Sequence, residues 1–422
     1  MTGEQMYKLA ERLFPICRSI TGEGVRQTLQ ILQEDIPLEI REIPTGTPVF
    51  DWTIPREWNV KDAWVKDPSG QKIIDFKKNN LHLLNYSIPY RGKMALAQLK
   101  DHLYYMPEKP DLIPYRTSYY TEKWGFCLAY DQFKTLPEGA YEVLIDSSLS
   151  DGHLTYGELH IPGDLEEEFL LTTHICHPSL ANDNLSGIVV LQALAKYLLS
   201  IKNRYSYRIL FIPGTIGSIT WLALNEGKIS RIKGGLVASL LGDRAQFHFK
   251  RSRIGDSDLD RLVEYVLTNS EYPYTVMDFI PYGYDERQFC SPGINLPMGN
   301  LTRSTFGYPE YHTSADNLQF ISANELEKSY LIYRAVVRHW EMNRKFVNLI
   351  PKGEPQLGKR GLYEAIGGKS DSHTIQMAIL WVLNLSDGHH SMLDIAIRSG
   401  ISMAQLHQVS ELLISKSLLS EI

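Results

Sequence analysis

Residues 170–187 read LLTTHICHPSLANDNLSG and set His174, Cys176, His177 and Asp183 within ten residues. A short apolar run, Phe169, Leu170 and Leu171, leads into this stretch, and the amphipathic segment IVVLQALAKYLLSI follows Ser186 and Gly187. That order describes a strand, a loop and a helix, with imidazoles and a carboxylate where the strand gives out. Ligands of open α/β sheets collect in the crevice outside the carboxyl ends of strands. Zn²⁺ takes nitrogen, oxygen and sulfur ligands held by a fixed backbone. His-x-x-His alone is a weak signal, but a second island at 306–317, FGYPEYHTSADN, repeats the chemistry with Glu310 and His312. Together the two islands predict a metal site. Ser186 and Gly187 are expected to cap the following helix, because no base stands ready for a serine nucleophile and no Gly-x-Ser-x-Gly elbow is present.

The elements that must carry these residues alternate from 166 to about 344. Strands are expected at 169–173, 207–212, 235–241 and 274–279, and helices at 188–201, 219–225, 259–267 and 323–342. The strands are continuous apolar runs, as a parallel sheet covered on both faces requires. Ahead of them, residues 1–35 read as two helices broken at 19–24, with Ser19 or Thr21 capping the second and Glu23 near its start. From about 50 to 163 the texture changes. Four of the seven tryptophans fall there (Trp52, Trp58, Trp64, Trp124), among short alternating runs such as YEVLIDSSL and turn signals such as Asp67-Pro68-Ser69-Gly70. This predicts an all-β module. Its segment 115–127, YRTSYYTEKWGFC, reads first as an aromatic rim of that module and second as a substrate wall offering Arg116 and Tyr119.

Beyond a Gly-, Pro- and Lys-rich connector at 351–368, three helical runs follow, with SDGHH as a loop after the first. Ser391 and Ser402 stand where N-caps belong and Gly400 where the middle helix ends, which predicts a helix-turn-helix. Its charges argue against nucleic acid. From His373 onward Asp387, Asp394, Glu411 and Glu421 outnumber Arg398 and Lys416, whereas phosphate contact needs clustered cations. A packing or protein-partner role, or a homo-oligomer formed through this part, is expected instead.

At 422 residues the chain is too long for one core and implies two or three domains. A net charge of -6 supplies neither a basic field for nucleic acid nor a polybasic membrane anchor. No stretch reaches the ~18–20 apolar residues of a membrane helix, and the N-terminus lacks a signal-peptide layout. Four scattered cysteines fit reduced thiols better than a disulfide framework. These features point to the cytoplasm and to no membrane partner.

The run ANDNLSG beside His174 and His177, together with EYHTSADN, resembles the zinc exopeptidase family that includes bacterial leucyl-type aminopeptidases and glutaminyl cyclases. Along essentially its full length the chain is similar to bacterial aminopeptidase-like proteins that join a peptidase core, an inserted β-domain and a C-terminal winged helix. CRSITGEGVRQTL, HICHPSLANDNLSG, PYGYDERQFCSPG and EYHTSADN carry that similarity. The resemblance implies an α/β fold. Its mostly parallel-sheet core would be formed by 1–48 and 164–348, with an all-β insert at 49–163 and a linker plus winged helix-turn-helix at 349–422. It implies one or two Zn²⁺ ions. Asp183 would bridge two metals or hold one, His312 would be the distal ligand, and His174 the strand-end histidine. Where the family carries an Asp two residues later this chain has Cys176, which leaves His177 as an alternative ligand. Asp243 is a further candidate carboxylate, with Ser239 as the other register.

One departure bears on the chemistry. Relatives carry Pro-Glu-Thr-Ile-Gly-Ser after the next strand, and this chain reads Pro213-Gly214-Thr215-Ile216-Gly217-Ser218. The resemblance makes that glutamate the general base, and its loss costs about 10²–10⁴-fold. Either Gly214, natural or introduced, cripples a hydrolase, or Glu310 or Glu286 reaches the site instead. The first reading is preferred. PYGYDERQFCSPG at 281–293 is expected to form a substrate loop using Tyr284, Asp285 and Arg287, against the simpler reading of a solvated charged turn. The expected function is a zinc-dependent aminopeptidase-like activity on a peptide or amide with a free amino end. Alternatives are a metal-dependent cyclase or acyl-transfer enzyme acting on a biosynthetic intermediate, or a non-catalytic binding protein that retains the pocket.

Overall fold

The computed structural model describes residues 1–362 and 372–422. It divides into two compact units, 1–260 with 271–331, and 261–270 with 332–422. The 363–368 part of the expected connector lies outside the described residues.

The first unit is built on an eight-stranded sheet. In spatial order its strands are Glu39–Pro44, His153–Ile161, Ser206–Ile212, Glu168–His174, Ile232–Ala238, Met298–Thr302, Phe247–Lys250 and Tyr274–Met277. The four central strands run parallel to one another, and antiparallel pairings flank them on both sides. Every residue of Glu168–His174 and of Ser206–Ile212 is buried, which is why these strands read as unbroken apolar runs. Helix Gly187–Leu199 packs on three of the central strands, and helix Gly3–Leu13 packs on that helix in turn. Register then fixes where chemistry can gather. His174 pairs with Ile212 and Thr172 with Val237, so the loops after His174, Ile212 and Ala238 leave the same edge of the sheet.

Local details depart from the sequence expectations for identifiable reasons. The second helix, Glu23–Gln33, starts after Gly22, and neither Ser19 nor Thr21 caps it. Ser19 instead donates to Asn85, and Thr21 bonds the backbone of Arg56 and Trp58. Gly22 has φ +100°, and a Cβ there would fall 2.0 Å from the Trp58 carbonyl oxygen, so close approach to the β-module selects glycine. Ser186 is helical and does not cap Gly187–Leu199; its hydroxyl donates to the Asn182 carbonyl and accepts from Leu241 N–H. Strands Phe247–Lys250 and Met298–Thr302 escaped the sequence reading because His248, Lys250 and Asn300 interrupt their apolar pattern.

The β-module contains an antiparallel sheet ordered Lys72–Asp75, Glu57–Lys66, Ala140–Ser150 and Tyr90–Ala95. His153–Ile161, expected within the module, pairs with Glu39–Pro44 and Ser206–Ile212 in the main sheet. It is buried from Leu154 to Leu159, as a strand covered on both faces must be.

In the second unit, helices Ser372–Leu385, Met392–Ser399 and Met403–Ser415 accompany a three-stranded sheet of Asp387–Ser391, Lys345–Asn348 and Leu419–Glu421. Ser391 and Asp394 form a reciprocal capping box, Ser402 caps the last helix, and Gly400 ends the middle one at φ +71°. The SDGHH segment, expected as a loop, supplies a strand because Lys345–Asn348 offers it a ladder partner. Among the described residues no helix is long and apolar enough to cross a membrane.

Candidate metal centre

Three ligand-type side chains meet at the end of the Glu168–His174 strand. His174 Nε2 lies 2.9 Å from Asp183 Oδ1 and 3.1 Å from His177 Nδ1, and that same His177 nitrogen is 3.5 Å from Asp183 Oδ1. From the far island His312 Nε2 comes within 3.0 Å of the other carboxylate oxygen, Asp183 Oδ2. Asp183 therefore faces histidines with both oxygens. His174 and Asp183 are buried, and His177 nearly so.

The loop that turns Asp183 inward is held at several points. The Asp316 carboxylate accepts the backbone N–H groups of Asn182 (2.6 Å) and Asp183 (3.0 Å) and the Tyr308 hydroxyl (2.9 Å). The Asn184 amide donates to Thr173 Oγ1 and to the His174 carbonyl, tying the loop back to the strand end. The peptide bond between Asp183 and Asn184 is cis. Beneath the loop, buried Arg18 donates through Nε to the His177 carbonyl at 2.8 Å. Aromatic rings wall the cluster. Tyr115 stands edge-on to His177 and His312, with centroids 5.1 Å from each, Tyr284 stacks on His174, and Tyr311 stacks on His312.

The electrostatics suit a cation. Burial would raise the Asp183 carboxyl, but the neighbouring His177 and hydrogen bonds from His174, His177 and His312 outweigh it and hold the group well below the usual carboxylate range. Burial lowers His177 and His312, keeping both imidazoles in the neutral form that ligates metal. Asp316 is pushed up to about 7, chiefly by burial. A carboxylate offers only acceptors and each neutral imidazole one lone pair, so three such groups facing each other within 4.8 Å form a donor set that Zn²⁺ fits.

The remaining expected residues are distributed unevenly around this cluster. Asp243 is not brought into it: its carboxylate accepts from the Asn182 side chain at 2.6 Å and from Ala245 N–H. Ser239, in the other register, is buried with a hydroxyl that has no hydrogen-bond partner. Gly214 lies beside the cluster, since a Cβ there would meet Cys176 Sγ at 3.4 Å and His174 Cβ at 3.5 Å. Asp285 fixes the Gly214 loop by accepting Thr215 N–H (2.6 Å) and the Ser218 hydroxyl (3.0 Å). Arg287 reaches Thr215 Oγ1, and the Tyr284 hydroxyl lies 3.4 Å from Asp183 Oδ1. The two alternative bases differ, and only Glu286 is held by partners. Glu286 is fully buried in an ion pair with Lys250 and a hydrogen bond from Asn300. The Glu310 side chain makes no hydrogen bond or ion pair among the described residues; its carbonyl is what binds, to Thr313. Tyr119 bonds the Tyr115 hydroxyl and Arg116 is exposed. Tyr284 and Phe306 also border a cavity of about 260 Å³ with Leu240, Met277 and Asn300.

Sequence reasoning passed over Arg18, Tyr115, Asn184 and Asp316. Asp316 was discoverable, because it sits four residues after His312 in the same motif. Arg18 and Tyr115 carried no such signal, for their partners are distant in the chain.

Comparison with known proteins places this geometry in a class. The fold is that of the zinc aminopeptidases: a Bacillus subtilis zinc aminopeptidase superposes with a TM-score of 0.58 at 13% identity, covering 80% of this chain and 95% of that one. An aminopeptidase from Aneurinibacillus gives 0.51 at 12% identity over 80% of this chain and 93% of that one. A winged helix-turn-helix profile matches residues 344–421. The chain belongs to the family described as a domain of unknown function, DUF4910, whose profile matches residues 7–343. A Clostridium acetobutylicum protein, provisionally named for polysaccharide biosynthesis and an aminopeptidase-like domain, is 54% identical over 99% of this chain and 96% of its own length. A crystal structure from the same organism, provisionally named a peptidase, superposes with a TM-score of 0.93 at 51% identity, covering 100% of this chain and 96% of that one.

Proposed function

We propose that the protein is a zinc-dependent, aminopeptidase-like hydrolase that binds an amide next to a free amino end, on an intermediate of polysaccharide biosynthesis, and turns it over slowly. One observation carries this reading: Asp183 presents one oxygen to His174 and His177 and the other to His312. His174, His177, Asp183 and His312 are the residues that would hold the metal. Zinc bound there supplies Lewis-acid polarisation of a carbonyl and acidifies a water. The protein's own groups do the rest. Tyr284 and Tyr115 enclose the cluster and exclude bulk water, and the neighbouring cavity receives a substrate side chain. Asp285 and Arg287 fix the loop that carries Gly214. Gly214 itself offers no atom to take a proton, so the position where the family keeps its base is silent here. The polysaccharide context comes from the name of the Clostridium relative.

The specific observation favouring a second reading is the same glycine: with Glu286 locked to Lys250, a binding protein that keeps the pocket without turnover is the competing account. Elemental analysis and assays of aminoacyl amides, with and without Gly214→Glu, decide. Bound zinc and a rise in turnover of about 10²–10⁴-fold in the variant support the hydrolase. Unchanged turnover with metal bound refutes it.

A further inference from the structure

Among the described residues eight non-glycine residues adopt positive φ, and of these His312 and Thr215 belong to the metal centre and its loop. Phe50 (φ +53°) and Tyr120 (φ +63°) belong to neither, yet both are large aromatic residues left 52% and 51% exposed. Backbone of this kind is costly and is found where a ligand must be met. Trp52, 41% exposed, lies on the short hairpin with Phe50, and its ring is 5.4 Å from Tyr120 at an angle of 57°. The sequence marked Trp52 as the texture of a β-module, and the segment holding Tyr120 as its aromatic rim or, second, a substrate wall.

The Trp52–Tyr120 pair connects to the metal centre step by step. Tyr120 meets Tyr119 edge-on at 6.5 Å, and the Tyr119 hydroxyl lies 2.9 Å from that of Tyr115. Tyr115 in turn stands against His177 and His312. The hairpin's first strand, Pro48–Val49, packs against helix Ile216–Leu224, which begins two residues after Gly214. Charged residues neighbour the rings along the chain: Asp51 stands between Phe50 and Trp52, and Glu122, two residues after Tyr120, holds an exposed ion pair with Arg56.

Size and chemistry together select the occupant. Aromatic side chains bury about 150–250 Å² each when fully covered. Three half-exposed rings therefore offer roughly 200–400 Å², well short of the ~800 Å² per partner that a stable protein interface needs. One or two sugar rings match that area. A pyranose has an apolar C–H face to lay on an aromatic ring and hydroxyls at its edge for carboxylate and guanidinium groups, which is the arrangement here. We propose that Phe50, Trp52 and Tyr120 form a stacking platform for the glycosyl part of the substrate whose amide lies at the metal centre. This deepens the function proposed above and rests on it only for what is attached to the sugar.

The test uses the full chain and two probes, the β-linked N-acetylglucosamine disaccharide and N-acetylphenylalaninamide, followed by saturation-transfer NMR and tryptophan fluorescence with and without chelator. Millimolar disaccharide binding with contacts to the pyranose protons is expected. It should weaken about 3–10-fold in Trp52→Ala and Tyr120→Ala and survive in Trp52→Phe, with unchanged melting and no dependence on metal. No disaccharide binding at about 10 mM, equal affinity in the alanine variants, or preference for the phenylalanine amide at these rings overturns the platform. Disaccharide binding in a protein that takes up no zinc supports the platform and refutes only the hydrolase reading.

Discussion

Replacing Arg18 by methionine should loosen both the fold and the metal centre, and the structure sets the size of each effect. The guanidinium is 1% exposed and has no carboxylate within ion-pair distance among the described residues. It donates to the carbonyls of Leu13 and His177 at 2.8 Å each, and more distantly, at 3.4 Å, to Thr28 Oγ1 and the Pro178 carbonyl. Burial pushes its pKa down to about 10, which still leaves it charged at neutral pH. Methionine fills similar volume and removes every donor. The Leu13 carbonyl keeps the Ile16 N–H, so one carbonyl, that of His177, is left unpaired in the interior at a cost of about 1–3 kcal/mol, and relief of an unpaired buried charge returns part of that. A net loss of about 1–2 kcal/mol follows.

The second effect is on His177, whose backbone loses its anchor. Groups that orient a metal ligand are typically worth about 10–100-fold in affinity, so zinc should bind Arg18→Met weaker by that factor. Arg18→Lys keeps the charge but lacks the planar fork that spans two carbonyls, and should fall between. Urea unfolding of the metal-free proteins measures the first effect. Competition against a chromophoric chelator, with the visible spectrum of the Co²⁺ form, measures the second. An unchanged urea midpoint in Arg18→Met would refute the hydrogen-bond accounting. Lost stability with unaltered zinc affinity and Co²⁺ spectrum would refute the positioning role.

Asp183→Asn should weaken zinc binding by more than the ~100-fold upper range of supporting residues, read by the same competition. Metal-free protein should lose stability as pH falls below about 6.5, because the unfolded chain protonates His177 and His312 there while burial keeps their folded forms neutral. Melting temperatures at pH 7 and 5.5 check this, and the difference should shrink in His177→Gln. Gly22→Ala should cost at least about 2 kcal/mol in urea unfolding, since its Cβ would collide with the Trp58 carbonyl at positive φ. A fluorescent DNA duplex titrated at low salt should not be retained, given the acidic balance of the C-terminal helices.

What could be read from the sequence was what repeats or is contiguous. The central strands show as apolar runs because both faces are covered, and the caps Ser391, Ser402 and Gly400 are legible because capping chemistry is local. His174, His177, Asp183 and His312 were found through two short motifs, and the structure brings them together. The failures concern residues whose role depends on something distant. Ser19, Thr21 and Ser186 looked like caps, but tertiary partners at Asn85, Trp58 and Leu241 claim their hydroxyls. Asp243 looked like a ligand because it follows a strand, yet its carboxylate accepts from the Asn182 side chain and from Ala245 N–H. Arg18 belongs to a motif whose length was noticed and whose function, a clamp on a loop 159 residues away, no local pattern encodes.

The two positions at which the zinc exopeptidase resemblance implies carboxylates, Cys176 and Gly214, are in contact. Gly214 N–H donates to Cys176 Sγ at 3.2 Å, and a side chain at 214 would start 3.4 Å from that sulfur. Burial raises the Cys176 thiol to about 12, so it is neutral at physiological pH. Where the resemblance implies two carboxylates, this chain places a neutral thiol and no side chain. The pair should therefore behave as one unit. A Cβ at position 214 meets its neighbours at ordinary van der Waals distances, so Gly214→Glu should leave the melting temperature within a few degrees of the parent. Its carboxylate would nonetheless meet a thiol where the resemblance implies a carboxylate, so adding Cys176→Asp as well should amplify its effect on turnover. Contacting residues couple by about 0.5–3 kcal/mol, or roughly 2–150-fold in rate. The four-protein cycle on one aminoacyl amide measures that coupling, and gains that multiply independently would show that the two positions act separately.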